Sequence, residues 1–511
     1  MTEKTPTLVN RRTLIAGAIA SAATLSLAGT GAGVLASEAG RINAIKQAVD
    51  AGYDDSLRRI EDWMRFPTVA AEQLNIEEGA DYMARLASEA GFQKVRKVPT
   101  GGSPAVFGVI DVGAPRTVGL YFMYDVKQFD EPDWTSPPLE PTLFDHAQGR
   151  ALRGRGAANH KGSEGTFLAA LHAFNAAGVT LPVNLVLLAE GEEEIGSPNL
   201  TKAFQDPEVL AALQGTDEVF MPTNLQGMSG EITICLGAKG IIECELIASG
   251  ESWGRGSTQD IHSGFKASVD SPVWRLVEAL STLVSDGGNK PAIDGWYEHF
   301  RPLTERERAL IADAASKSNE EELKQVFGIK HWINDMSWQE AAEANAAQPT
   351  VNIEGLVAGY TGPGGKTILP SRATAKLDMR LVPNMTAKDC LAKLRAHLDK
   401  RGFNDVEIKA GGHYDPTETA ESSGLVKAEK AVLKRLGVQS SVAPRIAGSY
   451  PGYLFTGAPL HKPFNQFGLG HGGKAHAPDE FYLIESTNPK IAGLREATMG
   501  YVEFLYELAA T

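Results

Sequence analysis

Three adjacent glutamates, Glu192, Glu193 and Glu194, follow an apolar run that is typical of a buried strand. Adjacent carboxylates repel one another and raise each other's pKa values unless a cation or hydrogen bonds compensate them. A solvated acidic loop would explain a charge run alone, but this run follows a buried strand and is closed by Gly196 and Ser197. The pattern therefore predicts a functional loop, with one glutamate as a general base and the next as a metal ligand.

Four other segments carry groups that suit the same chemistry. They are Tyr124-Asp125 after another apolar run, a glycine-rich loop at 154–162, and two histidine-bearing loops at 260–264 and 471–480. Any one histidine is more often structural than catalytic. It is the set of segments, together with the glutamate run, that indicates an active site.

The elements that position these loops follow from the apolar runs. Runs at 105–112, 117–126 and 183–189 predict buried parallel strands, and apolar spacing at 165–178 predicts a helix. Alternating strands and helices indicate an α/β layer with a mostly parallel sheet, whose sites lie at the carboxyl ends of strands. Tyr124-Asp125 and the glutamate run fall at such ends.

The pattern changes in the middle of the chain. Alternating strands at 241–249 and within 367–383, with charged helical stretches between them, indicate a smaller α+β domain. We predict that this second domain occupies 241–411 and is inserted into a first domain made of 41–240 and 412–511.

Composition sets broad limits on function. The 511 residues include 63 acidic and 49 basic ones, for a net charge of -14, which argues against a nucleic-acid-binding surface. Only three cysteines are present and they are scattered, so neither a disulfide framework nor cysteine catalysis is expected.

Residues 1–36 predict a twin-arginine export signal. Arg11-Arg12 precedes a weakly apolar stretch, and Val34-Leu35-Ala36 supplies a cleavage motif. The alternative is a permanent membrane helix, but the stretch is rich in Ala, Gly, Ser and Thr and is weakly hydrophobic for that purpose. We therefore expect a bacterial protein that is periplasmic or secreted.

Taken in order, these segments resemble the carnosinase, aminoacylase and glutamate carboxypeptidase family of di-zinc exopeptidases. The likeness runs from about residue 41 to the end, and its lid-domain parts are matched at 352–356, 368–372 and 380–384. The resemblance implies a zinc-exopeptidase-like catalytic domain and an inserted α+β lid that forms a homodimer.

The resemblance assigns roles to residues that this chain keeps. Glu193 matches the general base, while Glu194 and His476 match zinc ligands. His262 matches a histidine that polarises the scissile carbonyl, commonly across a dimer, and Asp125 is a further catalytic candidate. The candidates for holding the substrate and its carboxylate are Arg380, Arg445, Gly448, Ser449 and Asn352.

Three ligand positions depart from the family pattern. Met123, Asn159 and, by the least secure alignment, Asn224 stand where the family has a histidine and two carboxylates. A thioether and neutral amides are poor ligands for zinc. One zinc position thus loses all its ligands and the other keeps Glu194 and His476, with His160 as a helper. We expect at most one weakly held Zn²⁺, or none.

The direction of these changes indicates a rebuilt pocket rather than a dead remnant. Exchanging aspartates for asparagines relieves the repulsion that the loss of two cations would leave. The first hypothesis is hydrolysis of an amide or peptide bond in a small carboxylate-bearing substrate, a dipeptide or an N-acyl amino acid. A metal-independent lyase, isomerase or cyclase, and a non-catalytic binding protein, stay open as alternatives.

Overall fold

The computed structural model describes residues 31–511. The export signal predicted at 1–36 therefore lies almost entirely outside the described residues. Within the described residues, no helix is both long enough and apolar enough to cross a membrane.

The helices and strands alternate along much of the described chain. The helices are α1 (Gly31–Ala51), α2 (Tyr53–Arg65), α3 (Ile76–Glu89), α4 (Lys161–Ala176), α5 (Pro207–Gln214), α6 (Gly250–Trp253), α7 (Pro272–Ser281), α8 (Glu305–Lys317), α9 (Glu320–Phe327), α10 (Trp338–Ala347), α11 (Ala387–Lys400), α12 (Gly424–Arg435), α13 (Tyr453–Thr456) and α14 (Leu494–Ala510). The strands are β1 (Gln93–Val98), β2 (Ala105–Ile110), β3 (Thr117–Met123), β4 (Thr142–His146), β5 (Gly149–Arg153), β6 (Asn184–Glu190), β7 (Glu218–Pro222), β8 (Ile232–Cys235), β9 (Gly237–Ala238), β10 (Gly240–Ser249), β11 (Ile261–His262), β12 (Val284–Ser285), β13 (Lys290–Pro291), β14 (Thr350–Ala358), β15 (Ile368–Leu369), β16 (Arg372–Leu381), β17 (Glu407–Tyr414), β18 (Thr417–Glu418), β19 (Ser440–Ala443), β20 (Phe464–Phe467), β21 (Gly472–Gly473) and β22 (Phe481–Ser486).

The main sheet has the strand order β1-β2-β6-β3-β7-β20. Strands β6, β3, β7 and β20 are parallel, which confirms the mostly parallel α/β layer. The prediction that the run at 105–112 is parallel was wrong, because β2 pairs antiparallel with β6. The connection 111–116 between β2 and β3 is too short for the crossover that parallel strands need, so the chain reverses direction there.

Alternate residues of β3 enter two different cores. Val118, Leu120 and Phe122 pack with the helices on one face, where α4 and α14 lie. Tyr121 and Met123 pack on the opposite face. This is the two-residue period of a strand that is covered on both sides. The last residue of β3, Met123, is therefore apolar core as well as the neighbour of the site.

The second domain is built on the antiparallel sheet β14-β16-β10-β17. Strands β10 and β16 pair along their whole length, and α7 and α11 contribute to a separate apolar core on this sheet. We call this unit the lid. Helix α8 instead packs on β19 of the first domain, and its Leu310 joins the core of that domain. Strand β14 is an edge of the lid sheet.

Candidate functional site

A cavity of about 420 Å³ lies where the carboxyl ends of β6 and β7 meet β10, β16 and β17 of the lid. It brings together eight of the residues that the sequence predicted for the site. They are Asn159, His160, Glu193, Glu194, Arg380, Gly448, Ser449 and His476. Residues that the sequence did not single out also line it.

Asp125 fixes the turn that presents the glutamates. It follows β3, which is the parallel neighbour of β6, and its carboxylate accepts hydrogen bonds from the backbone N–H groups of Glu193 (3.2 Å) and Glu194 (3.0 Å). Burial raises the pKa of Asp125 well above its usual range, and the nearby Glu194 and Glu190 raise it further. Asp125 therefore holds the backbone of the loop rather than facing the cavity.

Glu193 is partly buried and its side chain lines the cavity. Burial raises its pKa well above the usual value, and the charges of Glu194 and Asp125 add to that shift, while the Lys127 ammonium opposes it. A carboxylate with a raised pKa holds a proton more tightly, so it is a stronger base than an exposed glutamate. The electrostatics fit the general-base role predicted for Glu193.

A second layer of hydroxyl groups supports this loop. Tyr121 and Ser197 donate to the buried Glu190 at 2.6 and 2.7 Å. The Ser197 hydroxyl is 3.0 Å from the Tyr414 hydroxyl, which donates to the Glu193 carbonyl at 3.0 Å. Burial raises the pKa of Glu190 to about 7 although both hydrogen bonds lower it. Tyr414 ends β17, so the lid contacts the glutamate loop directly.

The glycine-rich loop is held by one buried carboxylate. Glu480 accepts hydrogen bonds from the backbone N–H groups of Gly156, Ala158 and Asn159, and it pairs with the buried Arg155 at 2.7 Å. Because four donors converge on Glu480, the backbone of Asn159 has a fixed position. The side chain of Asn159 is thereby aimed at the glutamate loop.

Asn159, Glu194 and His476 contact one another directly. The Asn159 side-chain amide donates to Glu194 Oε1 at 2.6 Å and lies 2.8 Å from His476 Nε2. His476 Nε2 is also 3.2 Å from Glu194 Oε2. An amide NH₂ has two donors, so Asn159 can satisfy both partners, with Nε2 as the acceptor. We call these three residues the polar half of the site.

Met123, His160 and Asn224 form what we call the apolar half of the site. Met123 is fully buried, and its sulfur lies 3.0 Å from His160 Nδ1. Burial lowers the pKa of His160 to about 4, so the ring is neutral at neutral pH. Asn224 lies outside the cavity lining, and its amide faces the Thr233 carbonyl at 3.4 Å. The Asn224 side chain therefore points to the Thr233 carbonyl, whereas Met123 and His160 contact each other.

The predicted carboxylate-binding residues lie in two places. Arg380, Gly448 and Ser449 line the cavity. Arg380 is held by both oxygens of Asp378 (2.9 and 2.7 Å) and donates to the Ser449 hydroxyl at 3.0 Å. Arg445 is outside the cavity lining.

The guanidinium of Arg445 is buried among other partners. It donates to the Ala346 carbonyl at 3.0 Å and pairs with Glu307 and Glu418. These contacts join the segment around α8 and α10 to the first domain. Arg445 therefore connects the α8–α10 segment with the first domain, and its role in substrate binding stays a prediction.

Two predicted site residues of the lid do not line the cavity of their own chain. His262 is exposed, accepts a hydrogen bond from the Gly264 N–H at 3.0 Å, and has Nε2 3.3 Å from the Thr367 hydroxyl. Asn352 is exposed on the edge strand β14. Neither reaches Glu193 within one chain.

Comparison with known proteins identifies the family. The model of Peptidase family M20/M25/M40 matches residues 119–499. The chain belongs to this family. It is thus a peptidase-type hydrolase, which confirms the resemblance to carnosinase-like exopeptidases.

One solved M20 structure has the same overall fold, and two further peptidases are similar in sequence. The metallo-carboxypeptidase Sso-CP2 of Sulfolobus solfataricus is 33% identical, with a TM-score of 0.79 over 89% of this chain and 99% of that chain. The Cys-Gly metallodipeptidase DUG1 of Saccharomyces cerevisiae is 26% identical over 70% of this chain and 76% of its own. Human Beta-Ala-His dipeptidase is 26% identical over 70% of this chain and 71% of its own.

The residues present do not fit a tightly held zinc ion. Within the described part of the chain, no group of three or more His, Cys, Asp or Glu residues is arranged to hold a metal. In the polar half, Glu194 and His476 are the two residues that could bind zinc strongly. The third residue, Asn159, turns its NH₂ group rather than its oxygen toward them. Catalytic zinc usually has three good protein ligands.

Sequence reasoning missed several residues that line the cavity of this M20 protein, among them Lys127, Glu243, Glu354 and Tyr414. Lys127 had a usable signal, because it follows Asp125 by two residues at the end of a strand. The lid residues had none, because only the docking of the lid brings them near the glutamates.

Proposed function

We propose that this M20 protein is an exported hydrolase of an amide or peptide bond in a small carboxylate-bearing substrate. Glu193 is the general base, and the site works with little or no metal. The observation that carries the proposal is that Glu193 faces the cavity beside a zinc position closed by direct contacts among Asn159, Glu194 and His476. Relatives described as dipeptidases support a dipeptide as the substrate.

The residues of this chain support a simple hydrolytic sequence. Glu193 takes a proton from a water molecule, and the water oxygen attacks the carbonyl carbon of the scissile bond. The tetrahedral oxyanion that forms then collapses, and the proton passes from Glu193 to the departing amine. The raised pKa of Glu193 suits both proton transfers, because the group must accept a proton and return it.

A second group of residues that line the cavity supports binding of a carboxylate. It consists of Ser449, Gly448 and Arg380, and the Ser449 hydroxyl accepts a hydrogen bond from one end of the Arg380 guanidinium. Asp378 compensates part of the Arg380 charge, so the site favours a carboxylate that also bonds to the hydroxyl and to backbone N–H groups. A dipeptide or an N-acyl amino acid presents such a group one residue away from the scissile bond.

A homodimer through the lid is part of the proposal. Among the described residues, strand β14 pairs on one side only, and its Ile353, Leu356 and Val357 are about half exposed or more. Exposed apolar edge strands favour pairing with another chain. The exposed His262 would then serve the cavity of the partner subunit. Light scattering of purified protein tests the dimer, and a monomeric mass would count against it.

The export proposal has its own test. Fractionation of cells that express the full chain should find the protein outside the cytoplasm. Replacing Arg11 and Arg12 with lysine should retain it inside. Equal distribution of both forms would contradict a twin-arginine signal.

The hydrolase proposal is tested by assaying Cys-Gly, β-Ala-His and a set of N-acetyl amino acids with and without EDTA. We expect turnover that EDTA leaves unchanged and that Glu193→Gln lowers about 1,000-fold, the scale of lost general-base catalysis. Metal content is measured on the same samples. Turnover that EDTA abolishes would contradict the metal-poor site.

Glu192→Gln is the matched control. Glu192 is the buried neighbour of Glu193, but it accepts from the Ser103 N–H (3.1 Å) and from Asn199 (2.9 Å) and does not line the cavity. Its substitution should lower the Tm and leave kcat nearly unchanged. Ligand binding without hydrolysis of any probe would instead favour a binding protein, and a product of unchanged mass would favour an isomerase.

A further inference from the structure

The side chain of Lys127 enters the same cavity as Glu193. Its ammonium donates to the Glu194 carbonyl at 2.6 Å and lies 3.8 Å from Glu194 Oε2. The side chain is 38% exposed and lines the cavity. The proposed base, Glu193, lines the same cavity and directly precedes Glu194, whose carbonyl Lys127 binds.

Lys127 differs from the other cation of the cavity. The Arg380 guanidinium donates hydrogen bonds to both carboxylate oxygens of Asp378 and a third hydrogen bond to the Ser449 hydroxyl. Lys127 has three N–H donors, of which the Glu194 carbonyl takes one. The Lys127 ammonium therefore keeps donors for a ligand in the cavity that Glu193 and Glu194 also line.

We propose that Lys127 is a catalytic residue whose ammonium binds the carbonyl oxygen of the scissile bond and stabilises the oxyanion formed there. The inference rests on the proposed hydrolysis with Glu193 as base. A fixed cation next to a developing negative charge lowers the barrier, because it needs little rearrangement during the reaction. The Glu194 carbonyl supplies the fixation, since it anchors Nζ at the glutamate loop.

The step balances without any further reactant. The water oxygen forms a bond to the carbonyl carbon, and its proton moves to Glu193. The carbonyl π electrons move to the oxygen, which accepts an N–H hydrogen bond from Lys127. Collapse re-forms the carbonyl and breaks the C–N bond, and the nitrogen takes the proton from Glu193. Lys127 keeps all its protons throughout.

The experiment compares Lys127→Met, Lys127→Arg and Lys127→Ala with Lys202→Met, a control lysine that contacts Asn199 outside the cavity. Cys-Gly and β-Ala-His are the probes, in EDTA. We expect Lys127→Met to lower kcat about 100-fold, on the scale of one lost oxyanion donor, with KM changed less than about threefold. Lys202→Met should match the wild-type enzyme.

Rescue separates catalysis from structure. Lys127→Arg should regain at least about a tenth of the wild-type kcat, and ethylammonium added to Lys127→Ala should raise kcat in a saturable way. A merely structural lysine would lower the Tm and respond to neither. Unchanged kcat in Lys127→Met, or loss without either rescue, overturns the role of Lys127.

The two proposals fail differently. If Glu193→Gln loses activity while Lys127→Met keeps it, the hydrolytic proposal stands and the role of Lys127 falls. If the wild-type enzyme cleaves neither probe nor any N-acetyl amino acid, the proposed function falls and the role of Lys127 falls with it.

Discussion

The two halves of the site differ in how their side chains are arranged. The apolar half buries Met123 in the core and turns Asn224 toward a backbone carbonyl. The polar half keeps Glu194 and His476 at the cavity and joins them through the Asn159 amide. Met123 in the apolar half is part of the core packing, while the polar half places two residue types that can bind metal at the cavity.

This difference shows how the negative charge of a carboxylate at the cavity can be compensated without a metal ion. In the apolar half no carboxylate remains, so packing alone suffices. In the polar half a carboxylate remains at the cavity, and a buried charge is costly unless it is paired or hydrogen-bonded. The Asn159 amide, which is neutral, donates a hydrogen bond to the Glu194 carboxylate. We therefore expect that a single substitution can create a zinc site in the polar half, and that a single substitution in the apolar half cannot.

Asn159→Asp tests this difference with the largest expected effect. The change supplies a third strong ligand beside Glu194 and His476, so zinc affinity should rise about 1,000-fold, or about 4 kcal/mol. In EDTA the same variant should have a lower Tm, because two carboxylates then face each other without the donor. Competition with a chromophoric chelator and thermal unfolding with and without zinc provide the measurements.

Met123→His is the matched control for that gain. It adds a ligand beside His160 in the apolar half, but Asn224 faces Thr233, so this half still lacks the third good protein ligand that catalytic zinc usually has. Zinc affinity should stay at the wild-type level. Equal zinc affinity of Asn159→Asp and Met123→His would contradict the conclusion that the two halves differ in their capacity to bind zinc.

Met123→Ala tests the packing role of the apolar half. Met123 is fully buried in the core on one face of the main sheet, so truncation should lower the free energy of unfolding by about 3 kcal/mol. Met123→Leu keeps most of the volume and should cost less than about 1.5 kcal/mol. Urea unfolding measures both. A large loss in the leucine variant would point to a specific role for the sulfur.

Glu190 lies beside Met123 in the main sheet and gives a pH test. Burial raises its pKa from 4.5 to about 7. Between these values the unfolded chain loses a proton that the folded chain keeps, so the stability present below pH 4.5 is lost as the pH rises through 7. From pH 4.5 to 7.5, wild-type protein should lose about 3 kcal/mol more of its free energy of unfolding than Glu190→Gln.

Urea unfolding at the two pH values measures the difference. Other buried carboxyls, such as Asp125 and Glu164, have raised pKa values and act in the same direction, so only the comparison with Glu190→Gln isolates one group. An identical pH dependence in both proteins would contradict the shift.

Asn224→Gly should have the smallest effect. Asn224 has φ of 92°, which glycine adopts without strain, and its side-chain amide makes a long hydrogen bond to the Thr233 carbonyl at 3.4 Å. The free energy of unfolding should change by less than about 1 kcal/mol, with kcat unchanged. Asn224→Ala should be less stable than Asn224→Gly. A large loss of activity in the glycine variant would indicate that the Asn224 side chain has a role in the active site.

Much of the site was predictable because its residues follow strand ends. Asp125 and Glu193 come from neighbouring parallel strands, and carboxyl ends of such strands meet at one edge. The direction of β2 was not predictable from its apolar composition, because a fully buried strand has the same pattern whether it is parallel or antiparallel.

The sequence by itself determined the family, the mostly parallel α/β layer and the residue types at the positions that the resemblance matches to zinc ligands. Local order and side-chain chemistry suffice for those conclusions. Only the tertiary structure decided that Asn159 bridges Glu194 and His476, that Arg445 faces Glu307 and Glu418, and that Lys127 enters the cavity. Those contacts depend on how separate loops and the lid dock, and residue spacing along the chain does not encode the direction of a side chain.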